Sequence, residues 1–157
     1  MGQTLSFSAK PIEIKASPAV VRAVFLNFDS YPKWKPGWSL VPAETGKKPL
    51  ELKKGDLIQV NMDGKIHHPR VVENSPESFQ WEGSIPGIGS GIHQFHFQPS
   101  QITPGGTTFV QKEDFRGPAV TVASPFLKGR EFDMSPWDNF NADLKKEAER
   151  SAATGSS

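Results

Sequence analysis

The sequence predicts an α+β fold: a curved antiparallel sheet of about six or seven strands wrapped around a long C-terminal helix, with two short helices after the first strand. Three observations predict it. A helix start stands early in the chain, at Ser17-Pro18. Short alternating segments separated by turn residues fill the middle. The last segment with helical periodicity is the only one long enough to cover a sheet face.

The elements follow in order. Residues 5–15 alternate in parts, through Phe7, Ala9, Ile12 and Ile14, and predict a first strand with Pro11 at an edge or bulge. Ser17 caps a helix over residues 19–27, and Pro18 fills its first position, where a missing N–H costs nothing. Its apolar side is Val20, Val21, Val24, Phe25 and Phe28. A second helical turn carries Tyr31 and Trp34 and ends at Pro36. Trp38 begins a second strand, and the polar, Lys-rich residues 42–55 predict a mobile loop. Residues 56–62 and 65–72 read as a hairpin about Asp63-Gly64, with Pro69 unsuited to a central ladder position. Residues 78–82 form another strand, with Phe79 and Trp81 on one face. Residues 83–91 are glycine-rich but lack the Lys-Ser/Thr of a phosphate-binding loop, so they predict a gate between strands, not a nucleotide site. Apolar residues then recur at helical spacing from Phe126 to Ala148, broken near Gly129 and regular from Pro136. The domain is expected over residues 1–150, with 151–157 a disordered tail.

The two strands within residues 91–117 carry the functional signal. His93, Phe95 and Phe97 share one face, opposite Ile92, Gln94 and His96. Phe109, Gln111, Glu113 and Phe115 share a face of the next strand. A structural core rarely accepts that many polar groups, because each needs a partner or suffers desolvation. An apolar wall with a few polar groups describes a ligand cavity.

Composition narrows the function classes. The chain has 157 residues, enough for one substantial core, and its net charge of +1 gives no reason to expect nucleic acid. It has no Cys, which excludes disulfides and thiolate metal sites. No apolar run approaches the ~20 residues of a transmembrane segment. These features point to a cytoplasmic, soluble protein. The opening Met1-Gly2-Gln3-Thr4-Leu5-Ser6 matches the N-myristoylation pattern at Gly2, but no polybasic patch follows it. Oligomeric state is not legible.

Four stretches resemble the START/Bet v 1-like (SRPBCC) superfamily and its helix-grip fold, in its polyketide cyclase/dehydrase branch. They are Ile12-Glu13-Ile14-Lys15-Ala16-Ser17-Pro18, then Phe28-Asp29-Ser30-Tyr31-Pro32-Lys33-Trp34. The third joins Gly91-Ile92-His93-Gln94-Phe95 with Glu113-Asp114-Phe115-Arg116-Gly117. The fourth runs from Phe140-Asn141-Ala142-Asp143-Leu144 to Glu149. The resemblance implies a cavity between sheet and C-terminal helix. Its ligand would be a lipid, quinone or polyketide-like molecule, bound without a cofactor. It brings no catalytic set, and fold does not fix function.

The candidate residues follow. His93 and Glu113 are a candidate acid/base pair, in which the carboxylate raises the imidazole pKa; the simpler reading, and the favoured one, is a buried pair that fixes strand register. Phe79, Trp81, Phe95, Phe97, Phe109, Gln111, Phe115, Tyr31, Trp34, Trp137 and Phe140 are expected around the ligand, although aromatic side chains also serve as core. Trp38 joins them as a fourth tryptophan of the pocket. His67 and His68 are adjacent, so a strand points them apart, and no metal is expected. Two functions remain open: binding of a hydrophobic or polycyclic molecule, or a cofactor-independent cyclase/dehydratase.

Overall fold

A computed structural model describes residues 4–127 and 129–155, so Gly2 and its acylation signal lie outside the described residues. The architecture is α+β, a curved antiparallel sheet closed by a long C-terminal helix. The chain starts on the edge of the main sheet. There β1 (Leu5–Ser8) and β2 (Ile12–Ile14) both pair antiparallel with β9 (Thr107–Arg116). Pro11 falls in the break between them, where no ladder N–H is needed.

Helix α1 (Pro18–Leu26) begins where the sequence places it, with Ser17 Oγ accepting from the Val20 N–H at 3.2 Å. A 3₁₀ turn at Phe28–Ser30 leads into α2 (Tyr31–Trp34). Tyr31 is fully buried, and its hydroxyl donates to the Phe25 carbonyl at 2.7 Å. That bond ties the turn to the core.

A three-stranded sheet follows: β3 (Trp38–Pro42), β4 (Ile58–Met62) and β5 (Lys65–His67). Asp63 and Gly64 turn the chain with φ of 56° and 92°, the left-handed pair a two-residue hairpin requires. The expected mobile loop is held down. Its 3₁₀ turn at Pro49–Glu51 and buried Leu52 accept 3.1 and 3.0 Å hydrogen bonds from the Asn74 side chain. The expected single strand over residues 65–72 is split at Pro69, and β6 (Arg70–Asn74) joins the other sheet. The sheets stay joined there, through the Ile58 N–H to Pro69 carbonyl bond at 3.1 Å.

The main sheet runs β1-β9-β8-β7-β6, with β7 (Ser78–Ile85) and β8 (Gly89–Pro99) forming a hairpin. The predicted glycine-rich gate is therefore mostly strand, because pairing continues to Ile85↔Gly89. Gly89 and Gly117 make this end possible. A Cβ on either would lie 2.3 Å from backbone of the other's strand.

Helix α3 (Pro118–Leu127) is short, and α4 (Ser135–Ala153) is the long cover. Phe140, Leu144 and Ala148 recur every fourth residue on its buried face. Lys145 Nζ donates to the Glu13 carbonyl at 2.8 Å, and Lys35 pairs with Asp143 at 3.3 Å, clamping α4 to β2 and α2. The helix runs three residues into the expected tail, because Ala152 still packs on the core. Among the described residues, no helix is long and apolar enough to cross a membrane.

Candidate functional site

The inward face of β8 and β9 is a ladder of cross-strand pairs: Gly91↔Phe115, His93↔Glu113, Phe95↔Gln111 and Phe97↔Phe109. Its two ends differ. At the Phe97 end, α1 and α4 fill the concavity. Phe25 lies 4.7 Å from Phe95 and 5.7 Å from Phe97 between ring centroids, and Phe140 lies 5.7 Å from Phe95. Tyr31, Phe79, Trp81, Phe95, Phe97, Phe109 and Phe140 are all buried in this aromatic core. Trp34 is half-buried on its margin, 4.6 Å from Tyr31. These eight expected ligand contacts are packing partners of one another, because two helices supply enough side chains to close the space between them.

At the other end α4 is only beginning, and a cavity of about 360 Å³ remains. Its floor is Glu113 and Phe115 of β9 with Phe7 of β1. One wall is Trp38 of β3 with Met62, Asp63 and Lys65 from the β4–β5 hairpin. The other is Phe132, Asp133 and Met134, followed by Pro136 and Trp137 at the start of α4. Of the predicted residues, the cavity thus takes Glu113, Phe115 and Trp137, and Trp38 with them. Gly91 makes the space, since a Cβ there would lie 2.7 Å from Glu113 Oε2 and 2.8 Å from the Phe115 ring. Phe7 was legible as part of an alternating first strand, but not as a residue of the site. The hairpin residues and the segment before α4 carried no alternation that tied them to the site.

His93 stands behind this wall, not in it. It is 1% exposed, stacked on Phe95 at 4.7 Å and flanked by Trp81 and Trp137 at 5.0 and 4.9 Å. Gln111 Nε2 donates to Asn141 Oδ1 at 2.7 Å, which leaves Gln111 Oε1 facing His93 Nε2 at 2.8 Å. An amide oxygen only accepts, so with the Gln111 amide in this orientation Nε2 is the protonated ring nitrogen. The other nitrogen, Nδ1, is 3.6 Å from Glu113 Oε1. Asn141 was quoted in the sequence only as part of a motif, yet it ends this buried chain, with its Nδ2 unpartnered.

The pKa direction expected for the imidazole is reversed. Burial pulls His93 down to about 4, despite the Gln111 hydrogen bond, so it is neutral at pH 7. The same burial, with the Asp114 charge next to it, pushes Glu113 up to about 7. The group that titrates near neutrality is therefore the carboxyl at the cavity, and the imidazole is its neutral neighbour. His96 is on the outer face, 2.9 Å from Gln94 Oε1, while His67 is half-buried and His68 exposed. Among the described residues, no group of three or more His, Cys, Asp or Glu is arranged to hold a metal ion.

The fold recurs among solved structures. A point mutant of norcoclaurine synthase from Thalictrum flavum, in complex with a transition-state analogue, aligns at a TM-score of 0.62. It shares 13% identity, over 94% of this chain and 96% of that one. The ZhuI aromatase/cyclase from Streptomyces sp. R1128 aligns at 0.58 with 14% identity, over 99% of this chain and 100% of that one. At such identities the likeness speaks for the fold, with its sheet gripping a C-terminal helix. No curated protein matches the sequence. The sheet, the helix across it and the cavity at its open end agree with a sequence match over residues 5–149, by which the chain belongs to the polyketide cyclase / dehydrase and lipid transport family.

Proposed function

We propose that this protein binds a compact, mainly apolar molecule carrying a carbonyl or hydroxyl group, in the cavity at the start of α4. One observation carries the reading: the Glu113 carboxyl rises from a floor of phenylalanine between walls that bear Trp38 and Trp137, with Asp63, Lys65 and Asp133 also in those walls. Aromatic faces supply affinity through buried area at ~25 cal/mol/Å², and Glu113 fixes orientation by a hydrogen bond. A volume of about 360 Å³ lies near the lower end of the roughly 300–1,000 Å³ of small-molecule sites. That favours a ring system over a long lipid chain. Family membership supports both carriage and conversion of such ligands.

Native mass spectrometry of protein from its own cells, followed by denaturing extraction, tests this. A stoichiometric aromatic or polyketide-like adduct is expected, and it should be lost in Trp137→Ala. Retention of the adduct in that variant would place the ligand elsewhere.

The titration of Glu113 near neutrality favours a second reading, a cofactor-independent cyclase/dehydratase. In its acid form Glu113 donates a proton to a departing hydroxyl or an enolising carbonyl oxygen. In its base form it removes a proton next to a carbonyl. Turnover of an extracted ligand should then fall about 10²–10⁴-fold in Glu113→Gln, with binding reduced much less. Equal loss of both would leave binding as the function.

A further inference from the structure

We propose that Gln111 and Asn141 act as positioning residues: their side-chain amides hold His93 in its Nε2–H tautomer, so that the bare Nδ1 can accept a hydrogen bond from the protonated Glu113 carboxyl, which keeps its proton. This deepens the reading of the cavity above and rests on it.

The argument starts from the far end of the chain of contacts. Asn141 is buried on α4, and Gln111 donates to its Oδ1 at 2.7 Å. That contact turns the Gln111 oxygen toward His93 Nε2, 2.8 Å away. Only a protonated Nε2 satisfies it, and a neutral imidazole has one ring proton. Nδ1 is then a lone pair facing Glu113 Oε1 across 3.6 Å. A carboxylate there meets a second lone pair. A carboxylic acid meets an acceptor, and a small rotation of the Glu113 side chain closes the hydrogen bond. If both amides were turned over, Gln111 would donate to Nε2, Nδ1 would carry the proton, and the carboxylate would be the favoured form. The orientation of two amides distant from solvent thus selects between an acid and a base at the cavity floor.

The other charged groups around the pair do not make this choice. Asp114 follows Glu113 in β9 and opposes its ionisation. Asp63 and Lys65 share the cavity from the β4–β5 hairpin with opposite signs, and Asp133 adds a carboxyl from the segment before α4. His67 of β5 disfavours charge on His93.

The test is NMR on the full chain without ligand. Ring-nitrogen shifts of isotope-labelled histidine at neutral pH should identify a protonated Nε2 and a bare Nδ1 at His93. Carboxyl-carbon shifts give the Glu113 midpoint. In Gln111→Met the acceptor is gone, so the proton should move to Nδ1 and the Glu113 midpoint should drop by about one unit or more toward the usual carboxylate range. A protonated Nδ1 in the wild-type protein overturns the proposal, as does an unmoved midpoint in a folded Gln111→Met. If that variant does not fold, Asn141→Leu releases the Gln111 amide and takes its place, and the wild-type tautomer decides independently of both. A protein with the predicted tautomer but no ligand adduct would overturn the binding reading and leave this one standing.

Discussion

Glu113 and His93 depart from their ordinary pKa values in opposite directions, and each leaves a mark on stability. Between 4.5 and about 7 a folded Glu113 holds a proton that the unfolded chain has lost, so stability falls as pH rises through that window. Between about 4 and 6.5 a folded His93 lacks a proton that the unfolded chain holds, so stability rises with pH. The two slopes offset each other where the windows overlap. Glu113→Gln removes one of them. We expect thermal melts of that variant to show stability rising with pH through the His93 window, by on the order of 1–3 kcal/mol, where wild type is nearly flat. Parallel curves would contradict the assignment. Gly91→Ala tests the other residue that shapes the site. Its methyl group must push aside Glu113 and Phe115, so ligand affinity should fall at least tenfold in calorimetry, about 1.4 kcal/mol. The inward set of His93, Gln111 and Glu113 was legible from alternation alone. Their depth was not, because a period of two names a face and says nothing about what packs on it.

Packing is decided by the elements that cross the sheet. Phe140 of α4 touches Phe25, Tyr31, Trp34, Trp38 and Phe95. Phe140→Ala should cost about 3–5 kcal/mol in denaturant unfolding, as the loss of a fully buried ring. An effect below about 1 kcal/mol would mean that the core collapses around the gap. The start of α1 was readable because Ser17-Pro18 acts locally; Ser17→Ala should cost only about 1 kcal/mol. The end of α4 was not readable, since Ser151 and Ala152 give no stop signal and their helix is held by tertiary contact. The division of residues 65–72 between two sheets was half visible. Pro69 marks the break, but the change of partner depends on the strands on either side.

Across the whole molecule, the cavity is a consequence of length and direction. Strands β8 and β9 are the longest in the sheet, and α4 enters over one end of them. Helix and aromatic side chains close the far end, and the near end is left to the hairpin and the segment before α4. The order of elements, the curved sheet and the covering helix could be argued from turns, caps and periodicity, whereas this uneven filling depends on where each helix begins over the sheet. The placement of the tryptophans gives the molecule an optical property. Trp38 and Trp137 face the cavity, while Trp81 is buried against His93 outside the cavity lining. A bound aromatic molecule would quench the first two by direct contact, a contact that the third does not make. Acid would dim Trp81 and Trp137 together as the imidazole packed against both gains its charge, so Trp38 alone reports occupancy and Trp81 alone protonation.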